Sequence, residues 1–105
     1  MDYNNIKSEF RTHFTLELDN NPSFKFLLYE IFVFGSAYVV GGYFRDFLEN
    51  KNSRDLDIIV DIENEILLDI VENANVSHKI NNHKGIKIQF ENIQVDIWSI
   101  ENNWA

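Results

Sequence analysis

Three aspartates interrupt the apolar pattern of two predicted strands, and their spacing suits metal chemistry. The stretch DLDIIVD places Asp55 and Asp57 on one side of a strand, opposite its apolar side. Their Cα atoms are about 7 Å apart, so the two carboxylates repel each other. The stretch QVDIWS places Asp96 out of phase with apolar neighbours in the same way. A hard divalent ion such as Mg²⁺ relieves this repulsion, and three acidic ligands with open positions suit phosphoryl or nucleotidyl transfer.

Two glycines and two arginines flank the first of these strands and suit an anionic ligand. Gly41 and Gly42 join a short strand to the start of a helix, where free backbone N–H groups and the helix dipole favour an anion. Arg45 lies one turn into that helix, and Arg54 directly precedes Asp55. Both guanidinium groups could donate charge-assisted hydrogen bonds to phosphate oxygens. Together with the aspartates, these residues predict a nucleotide site.

Hydrophobic periodicity predicts the elements that position these residues. The predicted order is a helix over 4–18, a helix over 22–34, a strand over 37–40, a helix over 43–50, a strand over 55–61, a helix over 64–74 and a hairpin over 84–100 that turns at 91–92. Asn21 is the expected N-cap of the second helix, which is expected to be well buried. In the last strand, Asp96 is expected on the side opposite the apolar residues.

Composition limits the class of protein. The chain has 105 residues, which suit one domain with an N-terminal helix over 1–20 and a core over 21–105. It contains no cysteine, so any metal must be held by oxygen or histidine. No signal peptide or membrane-spanning run is predicted, which favours a cytoplasmic protein. The net charge of −8 disfavours binding to long nucleic acid.

The stretch VVGGYFRDFLENKNSRDLDIIV resembles the head-domain signature of the nucleotidyltransferase superfamily, in the branch of bacterial poly(A) polymerases and CCA-adding tRNA nucleotidyltransferases. In that signature, Gly-Gly-x-x-Arg-Asp leads into a short helix, and a basic residue then precedes Asp-x-Asp on a strand. The matching residues here are Gly41, Gly42, Arg45, Asp46, Arg54, Asp55 and Asp57. A weaker resemblance extends over residues 27–99, where IQVDIWS is similar to the strand that supplies the third carboxylate, here Asp96.

The resemblance implies an α+β, polymerase-beta-like fold, in which a small mixed sheet carries the aspartates and helices pack on one face. Asp55 and Asp57 would hold two Mg²⁺ ions, and Asp96 would be the third metal ligand and help to activate the attacking hydroxyl. The implied reaction transfers a nucleoside monophosphate from an NTP, ATP or CTP being expected, to an acceptor hydroxyl and releases pyrophosphate.

The phosphate-binding residues implied by the resemblance are the glycine pair and Arg45, with Arg54 beside the aspartates as a further phosphate contact. The acceptor is left open by the sequence, and the net charge of −8 disfavours RNA in that role. The alternative to an enzyme is a catalytically incomplete nucleotide-binding or regulatory module that acts through a protein partner. A third interpretation is an interaction or oligomeric protein whose helix near Ile6 to Leu18 docks another subunit.

Simpler interpretations compete with each of these roles. Asp55 and Asp57 could form a solvated strand face, and Asp96 could be a surface residue of a hairpin. The glycine pair could be an ordinary strand-to-helix turn, and Arg45 could pair with a neighbouring acid. The histidines lack the spacing of metal ligands and are expected on the surface; they are His13, His78 and His83.

Overall fold

The computed structural model describes residues 3–82 and 84–103, with side chains to residue 101, so the predicted surface position of His83 lies outside the described residues. The helices are α1 (Tyr3–Asp19), α2 (Pro22–Phe34), α3 (Gly42–Leu48), α4 (Asn64–Asn73) and α5 (Ile100–Asn103). The strands are β1 (Ala37–Val40), β2 (Asp55–Val60), β3 (His78–Ile80), β4 (Ile86–Gln89) and β5 (Gln94–Ser99). Each predicted helix and strand is present close to its expected bounds, and β3 and α5 are additional.

The strands form one mixed sheet in the order β1-β2-β5-β4-β3. Strands β2 and β5 pair in parallel, whereas the other neighbouring pairs are antiparallel. The predicted hairpin is therefore confirmed as β4 and β5. Because β2 and β5 are central neighbours, the strands that carry the aspartates lie side by side.

The core lies on one face of this sheet. Alternate residues of the three inner strands are buried there, as the period-2 pattern predicted; they are Leu56, Ile58, Val60, Ile86, Ile88, Val95 and Ile97. Helices α2 and α4 supply the opposing apolar side chains, which are Phe24, Leu27, Leu28, Ile31, Leu67, Ile70 and Val71. The opposite face of the sheet carries the aspartates. The predicted α+β architecture with helices on one face is confirmed.

Helix α2 differs from its prediction, because only one side of it is buried. Ile31 is fully buried, but Phe32, one residue and about 100° further around the helix, exposes about half of its surface. The apolar residues of α2 lie on its exposed as well as its buried side, so periodicity alone could not show that the sheet covers only one side. No helix among the described residues has both the length and the apolar character that a bilayer span requires.

Helix α3 packs against α1 as well as against the sheet. Tyr43 is buried in the core, and its hydroxyl donates a hydrogen bond to Glu17 Oε1 of α1 at 2.9 Å. The rings of Phe44 and Phe47 lie 5.0 and 5.1 Å from the ring of Phe10, also on α1. Helix α1 thus fixes the position of the glycine turn that immediately precedes α3.

Asn21 occupies the predicted N-cap position of α2, but its side chain does not cap that helix. It is fully buried, and its Nδ2 donates to the carbonyl oxygen of Glu17 at 2.8 Å. Its Oδ1 accepts a hydrogen bond from the backbone N–H of Asn92 at 2.6 Å, in the turn between β4 and β5. Asn21 therefore holds the predicted N-cap position without a side-chain cap bond, because this longer-range bond uses the oxygen that a cap would need.

Candidate active site

Strand register brings two of the predicted aspartates together. In the parallel pair of β2 and β5, Asp57 lies directly opposite Asp96, and Asp55 lies opposite Gln94. Directly opposed residues point to the same face of a sheet, so the two carboxylates project side by side from the face opposite the core. Two negative side chains in such a pair destabilise the sheet unless a cation or a proton compensates.

Asp96 has the most perturbed environment of the three. Its Oδ1 is buried and has no hydrogen-bond partner among the described residues. Burial raises the pKa of Asp96, Lys87 on β4 opposes that shift, and the charges of Asp57 and Asp55 raise the pKa further. Lys87 lies directly opposite Asp96 in the antiparallel pair, so its ammonium group is the nearest compensating charge from the sheet itself.

Gly41 lies against the carboxylate of Asp57. Val40 pairs with Asp57 across β1 and β2, and the next residue, Gly41, turns the chain with φ of 75°. A Cβ atom on Gly41 would lie 2.8 Å from Asp57 Oδ2, closer than real contacts allow. Glycine is therefore required here both for the left-handed backbone and for the close approach of the carboxylate.

Arg45 lies over the backbone of Gly42. A Cβ atom on Gly42 would meet Arg45 Nη2 at 2.8 Å, so the guanidinium group covers the turn. Its Nε lies 3.7 Å from Asp46 Oδ1, which is the local pairing that the simpler interpretation expected. That contact is long and solvent-exposed, so it contributes little to stability. The end of the guanidinium group remains available to bind a ligand.

Arg54 and Asp55 line an open cleft of about 560 Å³ at the start of β2. The other lining residues come from α1, from the loop before β2 and from the end of the β4–β5 hairpin; they are His13, Glu17, Asn52, Ser53, Gln89, Glu91, Asn92 and Gln94. The backbone carbonyl of Arg54 accepts a hydrogen bond from the N–H of Gln94 at 2.8 Å, which joins the two strands at this end. The glycine turn, Asp57 and Asp96 are not part of the cleft lining.

The eight other lining residues were not among the predicted site residues, and His13 and Gln94 illustrate why. His13 was expected on the surface without a role, because its position depends on how α1 packs and no local pattern reports that. Gln94 is on the same side of β5 as Asp96, two residues earlier, so strand alternation could have indicated it.

Across the part of the chain that the structure describes, no three His, Asp or Glu side chains are arranged to hold a metal ion by themselves. The structure does bring Asp57 next to Asp96 and to Gly41, with Asp55 close enough to influence the charge of Asp96. Arg54 lies apart from the glycine turn, in the cleft beside Asp55.

A comparison with protein families matches residues 37–103 to the model described as the poly(A) polymerase head domain. The match covers more than half of the chain and includes each of the predicted site residues, while α1 and α2 precede it. Neither the curated proteins nor the solved structures gave a significant match.

Proposed function

We propose a nucleotidyl-transfer function for this chain, which belongs to the family of poly(A) polymerase head domains. Membership makes it a nucleotidyltransferase-type domain. The finer proposal is a Mg²⁺-dependent reaction that transfers a nucleoside monophosphate from an NTP to an acceptor hydroxyl and releases pyrophosphate. The observation that carries it is the in-register pair of Asp57 and Asp96 on neighbouring parallel strands.

The residues at this pair fit Mg²⁺. Asp96 Oδ1 is a buried acceptor without a donor in the described chain, and such an atom is costly unless a cation or a proton satisfies it. Mg²⁺ is commonly bound by one or two carboxylates together with substrate phosphates, so a side-chain cluster that is complete without substrate is not required. Asp55, Asp57 and Asp96 would be the ligands of the two expected ions. When bound, such ions neutralise phosphate charge and favour ionisation of an attacking hydroxyl.

The glycine turn and Arg45 would bind the triphosphate. The Arg45 guanidinium group lies over Gly42, so its N–H donors are at the turn and would bind phosphate oxygens there. Arg54 would contribute a second guanidinium group beside Asp55, within the cleft. Asp96, directly opposite Asp57 on the neighbouring strand, would help to activate the acceptor hydroxyl.

The proposed substrate is ATP or CTP, and the proposed compartment is the cytoplasm, where these nucleotides are abundant. The net charge of −8 favours a small or locally bound acceptor over long RNA. Nucleotide binding without transfer would instead identify the regulatory module that is the alternative function.

The test is the release of pyrophosphate from each NTP in the presence of Mg²⁺, with a panel of hydroxyl acceptors. Asp57→Asn removes a metal ligand at nearly constant volume and should lower the rate about 100-fold or more. Asp61→Asn is the matched control, since it makes the same chemical change at an exposed position just beyond β2 and should leave the rate unchanged. Calorimetry of the unaltered protein that detects no Mg²⁺-dependent NTP binding would refute the proposal.

A further inference from the structure

The outward side of α2 is apolar and uncovered. Phe26, Tyr29, Val33 and Phe34 are each more than half exposed, and Val33 exposes 76% of its surface. Phe24, Leu27, Leu28 and Ile31 occupy the buried side of the same helix. Large apolar side chains lie on both the buried and the exposed side of α2, so its outward side indicates a further binding surface.

A groove of about 500 Å³ runs beside this surface, between α2 and α4. Its apolar lining residues are Phe26 and Phe34 of α2, Ile66 and Ile70 of α4, and Ala74 just after α4. The spacing between Phe26 and Phe34 is eight residues, or about 12 Å along the helix axis. An apolar groove of this length between two packed helices can accommodate a third helix, which would pack its ridges into the groove.

The charges at the groove are of one sign. Glu30 and Asp69 are the charged residues that line it, and neither forms a salt bridge within the described residues. Helix α4 contributes further acidic residues, Glu65 and Glu72, and its sequence contains no lysine or arginine. An occupant with lysine or arginine beside its apolar stripe would supply the missing opposite charge.

We propose that the α2–α4 groove binds an amphipathic helix of a partner protein whose apolar stripe is flanked by lysine or arginine. A second copy of this chain is disfavoured as the occupant, because each copy carries a net charge of −8 and would present acids to acids. Helices α2 and α4 cover the core face of the sheet, whereas Asp57 and Asp96 project from the other face. A partner in this groove therefore leaves the proposed active site open.

The test uses two synthetic helical peptides that share one leucine stripe, flanked by lysine in one and by glutamate in the other. Isothermal calorimetry with the whole chain should show stoichiometric binding of the lysine peptide and at least about tenfold weaker binding of the glutamate peptide. The double variant Glu30→Lys/Asp69→Lys should reverse that preference. The control variant Glu9→Lys/Glu49→Lys makes the same charge change at exposed acids outside the groove. It should retain the preference for the lysine peptide.

Equal affinity for the two peptides, or an unchanged preference in the Glu30→Lys/Asp69→Lys variant, would overturn the proposal. Light scattering that finds a stable dimer disrupted by Val33→Ser would also overturn it, in favour of contact between copies. Circular dichroism establishes that each variant is folded. The readout is peptide affinity, so this test is independent of whether the protein transfers nucleotides.

Discussion

At the scale of single residues, Asp96 combines a proposed role in catalysis with a cost to folding. Its buried oxygen lacks a donor within the described residues, and two other aspartates contribute like charge. Both effects disfavour the ionised carboxylate in the folded protein. A bound cation would reverse the balance, which is the usual relation between stability and function in a metal site.

Asp96→Asn should therefore stabilise the metal-free protein at neutral pH, by no more than about 1 kcal/mol, because Asp96 is only half-buried and water screens part of the repulsion. The pKa of Asp96 is raised in the folded state, so the wild-type carboxylate is destabilising when ionised; that penalty begins to shrink as the pH falls through the folded pKa and is absent below the unfolded pKa. Urea unfolding in a chelator, at neutral and at acidic pH, measures the difference. The stability that Asp96→Asn gains over the wild type should be smaller at acidic pH. An Asp96→Asn variant that is less stable than the wild type at neutral pH would contradict this account.

The glycine pair offers a second prediction at this scale. Gly41→Ala should cost about 1–2 kcal/mol of unfolding free energy, because the backbone is left-handed there. It should also weaken Mg²⁺-NTP binding, since the added methyl group would displace Asp57 Oδ2. Gly42→Ala is the matched comparison: its Cβ would meet only the flexible end of Arg45, so its effect on stability should be smaller. An equal loss of unfolding free energy in the two variants would contradict the special requirement for glycine at position 41.

At the scale of elements, one hydrogen-bond network ties the α1–α2 junction to the β4–β5 turn. Asn21 bonds to Glu17 on one side and to the backbone of Asn92 on the other. The side chain of Asn92 donates in return to the carbonyl oxygen of Asn20 at 2.8 Å. This network holds α1 beside the cleft, where it contributes His13 and Glu17 to the lining.

Asn21→Ala should lower the free energy of unfolding by about 1–2 kcal/mol, because it empties a buried position and removes the hydrogen bonds to the partly buried backbone groups of Glu17 and Asn92. Asn20→Ala, at the exposed neighbouring position, should change it by less than about 0.5 kcal/mol, because its carbonyl rather than its side chain takes part in the network. Chemical denaturation of both variants gives the comparison. A similar effect in the two would indicate that the network does not hold the junction.

The predictability of these elements followed the strength of their local patterns. Strands β2 and β5 alternate cleanly, so their faces and the phase of Asp57 and Asp96 followed from sequence. Strand β3 has three residues and is stabilised by pairing with β4, so it has no pattern of its own to detect. The burial of α2 was overestimated because an apolar helix carries no signal of how many sides its neighbours cover.

At the scale of the whole molecule, the strand order is what the sequence left undetermined. Nothing in either segment states that β2 and β5 pair in parallel, or that Lys87 lies opposite Asp96, because those contacts depend on the arrangement of the complete sheet. His13 and Gln94 line one cleft for the same reason, because the complete fold brings α1 next to the start of β5. The charges around the site also depend on this arrangement. The net charge of −8 does not show that Lys87 lies opposite Asp96.

The parallel pairing of β2 with β5 has a consequence for synthesis on the ribosome. Asp57 and Asp96 are about 40 residues apart in the chain, and β4 must also emerge before β5 can take its place between its neighbours. A nascent chain that has exposed only the first aspartate pair has no neighbouring strand to complete the carboxylate set. The proposed set of carboxylates can therefore assemble only after β5 has left the ribosome and can pair with β2.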